Sequence, residues 1–323
     1  CVYRCPPACQ PSDSMQMEMQ AVMPPIHNEL LADLAYDYYG QRIATCSADH
    51  TIKIWGQNPM PSADSSDKWN CIASIQGRTG MFNRVAWAHP EFGQIIAACS
   101  SDCNVVIFEE ILEGGDSACS WVERARMVDN HGEIHALEFA PRHLGLLLAA
   151  LGEDGVVRIY EAVDIMQMSV WPLRDEFSLL PKSAQQYSSI SSLSFNQSSF
   201  DPPQIVIGHL DSVQIYQYYQ QHRRWQMIGE VVSGFVVDVS WAPSLARSYN
   251  LIASAFAEQD VVVCKVKAPA EVVDKWTLPV RACRVSWNMA GTILATSSND
   301  GTIQVWMKAA DETWISTQTI RPS

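Results

Sequence analysis

The chain has no uninterrupted apolar stretch of the ~18 residues that a membrane-spanning helix needs, and its opening residues do not read as a secretory leader, with no charged start leading into an apolar middle. Basic residues are scarce. Twenty-two Lys and Arg face 35 Asp and Glu in 323 residues, a net charge of −13, which argues against direct nucleic-acid binding, since phosphate backbones call for clustered cations. Neither G-x-G-x-x-G nor G-x-x-x-x-G-K-[ST] occurs, so no phosphate-cradling loop is present, and the G-x-S-x-G nucleophile elbow is missing too. The eight histidines are scattered. His131 and His135 sit in H-x-E-x-H order rather than H-E-x-x-H, and His135 falls in a strand, where residues four apart do not share a helical face. The ten cysteines form no disulfide framework; Cys46, Cys99, Cys264 and Cys283 fall in strand-like runs, where thiols act as small buried hydrophobes, and a reducing compartment is expected. The Asn196-Gln197-Ser198 sequon carries no meaning there. No catalytic residue, metal or cofactor is expected.

What is abundant is short apolar runs separated by turn signals. Val285 to Trp306 shows the pattern best. Val285 and Trp287 alternate with Ser286 and Asn288, the period of a strand with one buried face. Met289-Ala290-Gly291 turns the chain, and the run Ile293-Leu294-Ala295 predicts a strand covered on both faces. Asp300-Gly301 predicts a type I′ hairpin, with φ > 0 at both central residues, before a third strand through Ile303, Val305 and Trp306.

One such meander cannot bury both its faces, and copies of it run through the chain. The first-strand aromatic recurs as Tyr36, Trp87, Phe139, Phe195, Trp241 and Trp287, at gaps of 51, 52, 56, 46 and 46 residues. These lie slightly above the roughly 40–45 of a WD-type propeller repeat. The turn residue recurs as Asp49, Asp102, Asp154 and Asp300, each followed six positions later by an aromatic: Trp55, Phe108, Tyr160 and Trp306. Copies four and five are blurred, with Asp211 before Tyr216 and Asp260 before only Cys264. A fourth strand, usually opened by Trp (Trp171 to Ser178 in copy three), closes each unit. The four Asp are expected to bond nearby backbone N–H groups within their turns, and the aromatics to pack in the core rather than to form a ligand cage. The fold class is therefore all-β, a six-bladed propeller with blades near 27–75, 81–128, 134–178, 190–232, 236–278 and 282–320, a single domain over residues 15–323.

Residues 1–14 lack periodicity and read as a disordered leader. Cys1, Cys5 and Cys9 have no second ligand pair nearby to make a zinc site. In Met15 to Val22, by contrast, Met15, Met17, Met19 and Ala21 alternate with Gln16, Glu18, Gln20 and Val22. None of the six blades needs this strand, which leaves it available for an incomplete seventh.

The segments TCSADHTIKIW (45–55), VAWAHPEFGQIIAACSSD (85–102), FAPRHLGLLLA (139–149), DGVVRIYEA (154–162) and VSWNMAGTILATSSNDGTIQVW (285–306) resemble the SEH-type nucleoporins of the Sec-thirteen-like WD-repeat family, over roughly residues 17 to 320. The paralogous COPII coat subunit is similar in blades one, two and six and less so in blade three, so a vesicle coat is the alternative. The resemblance implies a non-enzymatic open ring into which an α-solenoid partner inserts a β-segment as a seventh blade. That partner would be a scaffold nucleoporin of the nuclear pore's Y-shaped subcomplex, or a related solenoid of the GATOR/SEA complex upstream of the TOR kinase. It places the chain at the nuclear envelope, and also peripherally at the lysosomal or vacuolar surface. An open ring would leave the flanks of blades one and six uncovered, with Ile43, Ala44, Ile293 and Ala295 as expected partner contacts beside Met15, Met17, Met19 and Ala21.

Overall fold

A computed structural model describes residues 27–57, 69–78, 80–112, 119–179, 191–244, 247–309 and 311–321. Its strands form six antiparallel four-stranded sheets, each paired in sequence order. Blade one is β1 (Leu31–Tyr36), β2 (Arg42–Ser47), β3 (Thr51–Gln57) and β4 (Trp69–Gln76); blade two is β5 (Phe82–Trp87), β6 (Ile95–Ser100), β7 (Val105–Leu112) and β8 (Cys119–Met127). Blade three is β9 (Ile134–Phe139), β10 (Leu147–Gly152), β11 (Val156–Glu161) and β12 (Leu173–Ser178). Blade four is β13 (Ser192–Phe195), β14 (Gln204–His209), β15 (Ser212–Tyr219) and β16 (Arg224–Ser233). Blade five is β17 (Val236–Trp241), β18 (Asn250–Phe256), β19 (Val261–Lys267) and β20 (Glu271–Leu278); blade six is β21 (Arg284–Trp287), β22 (Ile293–Ser297), β23 (Ile303–Lys308) and β24 (Trp314–Ile320). Among the described residues no helix is long and apolar enough to cross a membrane. Met15–Val22 and the leader lie outside the described residues.

The first strands line the axis and touch one another from blade to blade. In blades two to five the second and third strands are largely apolar on both faces because each is sandwiched between neighbouring sheets. In β10, Leu148 and Ala150 pack toward blade two, while Leu147, Ala149 and Leu151 pack toward blade four. Five apolar clusters fill the five internal seams, one each between blades one and two, two and three, three and four, four and five, and five and six. None of these clusters joins blade six to blade one. The ring is open.

Two expectations from the sequence need correction. The Asp hairpins are not type I′, because only the residue after the Asp has positive φ: His50 (63°), Cys103 (63°), Gly155 (67°) and Gly301 (78°). The Gly301 N–H donates to the Ser298 carbonyl at 3.0 Å, a type I turn followed by a left-handed residue. That geometry needs one positive φ instead of two, so His50 and Cys103 are tolerated where Gly stands elsewhere. In blade three the fourth strand begins at Leu173, not Trp171; Trp171 is buried before it, with its indole N–H donating to the Met168 carbonyl at 3.0 Å.

Candidate functional site

Position-by-position comparison of the blades locates the exceptional surface. Leu34 is the inner-strand residue two before the aromatic, equivalent to Val85, Leu193, Val239 and Val285. Those four are buried and the blade-three counterpart Leu137 is half-buried, whereas Leu34 is 50% exposed. The aromatic itself is buried as Phe139, Phe195 and Trp241 and half-buried as Trp87 and Trp287, but 56% exposed as Tyr36. On the other flank, Ile52, Val105, Val157, Val213 and Val261, at or next to the start of their third strands, are fully buried, whereas Ile303 is 39% exposed. Ile293 and Ala295 of β22 are half-buried where their blade-five counterparts Leu251 and Ala253 are fully buried, so the strand predicted to be covered on both faces is covered on one. Met307 and Ile315 add exposed apolar surface to blade six. Covering five such half-exposed side chains contributes on the order of 4–8 kcal/mol, half of the ~1.5–3 kcal/mol for each full burial.

The expected contact residues divide by face. Ile293 and Ala295 lie on the free face of blade six. Ile43 shares the free face of blade one, between its cross-strand neighbours Tyr36 and Trp55, and is buried. Ala44 does not belong with them: it points the other way, into the cluster with Val85, Ile96 and Phe108 of blade two, because successive strand residues alternate faces. Met15, Met17, Met19 and Ala21 fall outside the described residues.

The turn aspartates act locally. Asp49 Oδ1 accepts the Thr51 N–H (3.0 Å), Asp154 Oδ1 the Val156 N–H (3.1 Å) and Asp300 Oδ1 the Thr302 N–H (2.9 Å). Asp102 lies against Gly80, where a Cβ would come within 2.6 Å of its carboxyl carbon. Trp55, Phe108, Tyr160 and Trp306 are all buried, and Phe108, Tyr160 and Trp306 belong to the seam clusters. Among the described residues no group of three or more His, Cys, Asp or Glu could hold a metal ion.

Blade one carries a further device on its free face. The Trp55 indole N–H donates to Thr45 Oγ1 at 3.0 Å, Thr45 Oγ1 lies 2.9 Å from His27 Nε2, and His27 Nδ1 lies 3.0 Å from Asp49 Oδ2. Burial would raise the Asp49 carboxyl pKa, but bonds from Thr51, Asn28 and His27 outweigh it and hold the group far below the usual carboxylate range. The sequence reading did not single out His27. The available signal was its place 22 residues ahead of Asp49.

The axial polar residues were missed as well. Asp33, Arg84, Ser192, Asp238 and Arg284 each stand three positions before the first-strand aromatic and line one axial cavity of about 250 Å³ with Glu138. Burial pushes the Glu138 carboxyl up to about 8, although it accepts the Phe195 N–H at 3.2 Å. Burial also raises Asp238, against the pull of Arg284 and the bonds from Val285 and Ser192. Across the open seam, the described polar link is Arg284 Nη2 to Asp33 Oδ1 at 3.2 Å.

Comparisons with known proteins agree with this architecture. The family model for the WD domain, G-beta repeat, matches residues 25–56 and 274–307, the second match running from β20 of blade five through most of β23 in blade six. The chain is 36% identical to Nucleoporin SEH1-A of Xenopus laevis over 318 residues, covering 89% of this chain and 84% of that protein. It is 35% identical to Nucleoporin SEH1 of Homo sapiens over 318 residues, with the same coverage. With Nucleoporin SEH1 of Osmerus mordax the identity is 36% over 326 residues, covering 91% of this chain and 85% of that protein. A six-bladed open ring of WD repeats, matched over nearly its whole length to these proteins, belongs to the nucleoporin SEH1 family.

Proposed function

We propose that this chain is a non-enzymatic scaffold subunit of the nuclear pore complex, in its Y-shaped subcomplex at the nuclear envelope, supporting nucleocytoplasmic transport of protein and mRNA. An α-solenoid partner fills the seam between blades six and one with a β-segment of its own. The same seam serves a related solenoid in the GATOR/SEA complex, at the lysosomal or vacuolar surface, where TOR signalling responds to amino acids. One observation carries this reading: Ile303 is exposed where its counterparts in the other five blades are fully buried, and Leu34 and Tyr36 are about half-exposed where theirs are buried or half-buried. An exposed apolar flank beside unpaired strand edges is a site for added strands. The names of the similar proteins favour the pore over a vesicle coat.

Affinity purification of the tagged full-length chain from its own cells, followed by mass spectrometry, tests the proposal. Scaffold nucleoporins should co-purify with the wild type and be lost with a Leu34→Asp/Ile303→Asp double variant. Coat cage subunits in their place would overturn the assignment. A purified chain that melts cooperatively at high temperature without any partner would count against a borrowed blade.

A further inference from the structure

Adjacent inner strands are fastened by a repeated bond. A polar side chain on one blade's first strand takes an inward-pointing backbone N–H of the next. The Val85 N–H donates to Asp33 Oδ2 (3.3 Å) and the Phe195 N–H to Glu138 Oε2 (3.2 Å). Val239 and Trp241 donate to Ser192 Oγ (3.3 Å) and Ser194 Oγ (3.2 Å), and Val285 donates to Asp238 Oδ2 (2.9 Å). The remaining internal seam, between blades two and three, reverses the polarity: Arg84 Nε donates to the His135 carbonyl at 2.6 Å.

The same register holds at the open seam. The Asp37 N–H bonds the Arg42 carbonyl, and by the alternation of an antiparallel ladder the Leu34 and Tyr36 N–H groups point away from β2, toward the axis. Leu34 stands where Val85, Val239 and Val285 stand. On the far side, Arg284 occupies the position of Arg84, and it reaches across to Asp33 Oδ1.

Resting on the proposed function, we infer the chemistry of the segment that fills the seam. Its innermost strand carries a hydrogen-bond-accepting side chain, Asp, Glu or Ser, directed at the Leu34 N–H, and presents a main-chain carbonyl to Arg284. On docking, Arg284 turns from Asp33 to that carbonyl, as Arg84 faces His135. An amide left pointing at a seam with no acceptor is penalised once water is excluded. A filler with an apolar residue at this point is therefore discriminated against, even if its outer strands fit.

The test supplies a blade of known chemistry. Residues 234–278 are repeated after Ser323 of the full chain, so that the second copy of Asp238 faces the Leu34 N–H as the first faces Val285. Versions with Asp238→Leu or Asp238→Ser in the appended copy only are compared by amide hydrogen exchange at Leu34 and by melting temperature. The Asp and Ser copies should each slow Leu34 exchange at least tenfold relative to the unextended chain and raise the melting temperature. With the Leu copy, Leu34 exchange should stay at least tenfold faster than with Asp. Equal protection by all three copies would overturn the acceptor rule and leave the open-seam reading standing. Failure of every copy to protect Leu34 or to raise the melting temperature would overturn both. If residues 15–22 already occupy the seam, deleting residues 1–22 from the unextended chain would speed Leu34 exchange, and the partner would not be the source of the acceptor.

Discussion

Ile52 and Ile303 make an internal control for the open ring. Both stand three residues before the third-strand aromatic of their blade, on the face directed to the following blade. Ile52 is fully buried against blade two, and Ile303 is 39% exposed. Replacing Ile by Ala removes three carbons, about 2.4 kcal/mol of transfer free energy at ~0.8 kcal/mol per buried methylene. At position 52 a cavity is added, and about 3–5 kcal/mol is expected. At position 303 the flank is already open and no cavity forms, so the cost should be about 1.5 kcal/mol or less. An Asp separates the sites further: Ile52→Asp buries an unpaired charge and should prevent folding, whereas Ile303→Asp keeps its carboxylate in water. Urea unfolding of the purified variants, with each slope compared to wild type, reads out the difference. If Ile303→Ala cost as much as Ile52→Ala, or Ile303→Asp failed to fold, blade six would be covered in the isolated chain and the argument for a borrowed blade would collapse.

The His27–Thr45–Trp55–Asp49 chain should be cooperative: His27→Ala and Asp49→Ala should each cost about 1–3 kcal/mol, and the double variant clearly less than their sum, measured in a double-mutant cycle. Glu138 should make stability depend on pH. Its folded carboxyl holds its proton to about 8 while the unfolded one ionises near 4.5, so the folded state binds more protons between those values and stability falls as pH rises across that window. Glu138→Gln should flatten the profile in thermal melts between pH 5 and 9, by up to ~1.4 kcal/mol for each pH unit. Burial pushes the Cys99 thiol up to about 12 and the Cys264 thiol to about 11, and Cys46 is raised as well, so maleimide should label exposed Cys71 rapidly and leave these three unmodified until the protein unfolds.

The sequence by itself determined the blades. Alternation at Val285 and Trp287, the Asp-to-aromatic spacing at Asp49–Trp55 and Asp300–Trp306, and the turn residues between them are short-range properties, and each acts within one four-stranded sheet. Local pattern could also have exposed the axial residues, since Asp33, Arg84, Asp238 and Arg284 keep a constant distance from their aromatics. What it could not decide was which face of a doubly apolar strand is covered. Ile43 and Ala44 are adjacent and both apolar, yet Ala44 is packed on blade two while Ile43 turns to the free flank. Ile293-Leu294-Ala295 reads like any sandwiched strand, although only Leu294 is fully buried. Burial of such a run depends on whether a neighbouring sheet exists, which is a property of ring closure across some 250 residues (Asp33 to Arg284 spans 251). Tertiary structure settled that point, because the sixth sheet curves round to within one ion pair of the first and their apolar faces remain apart.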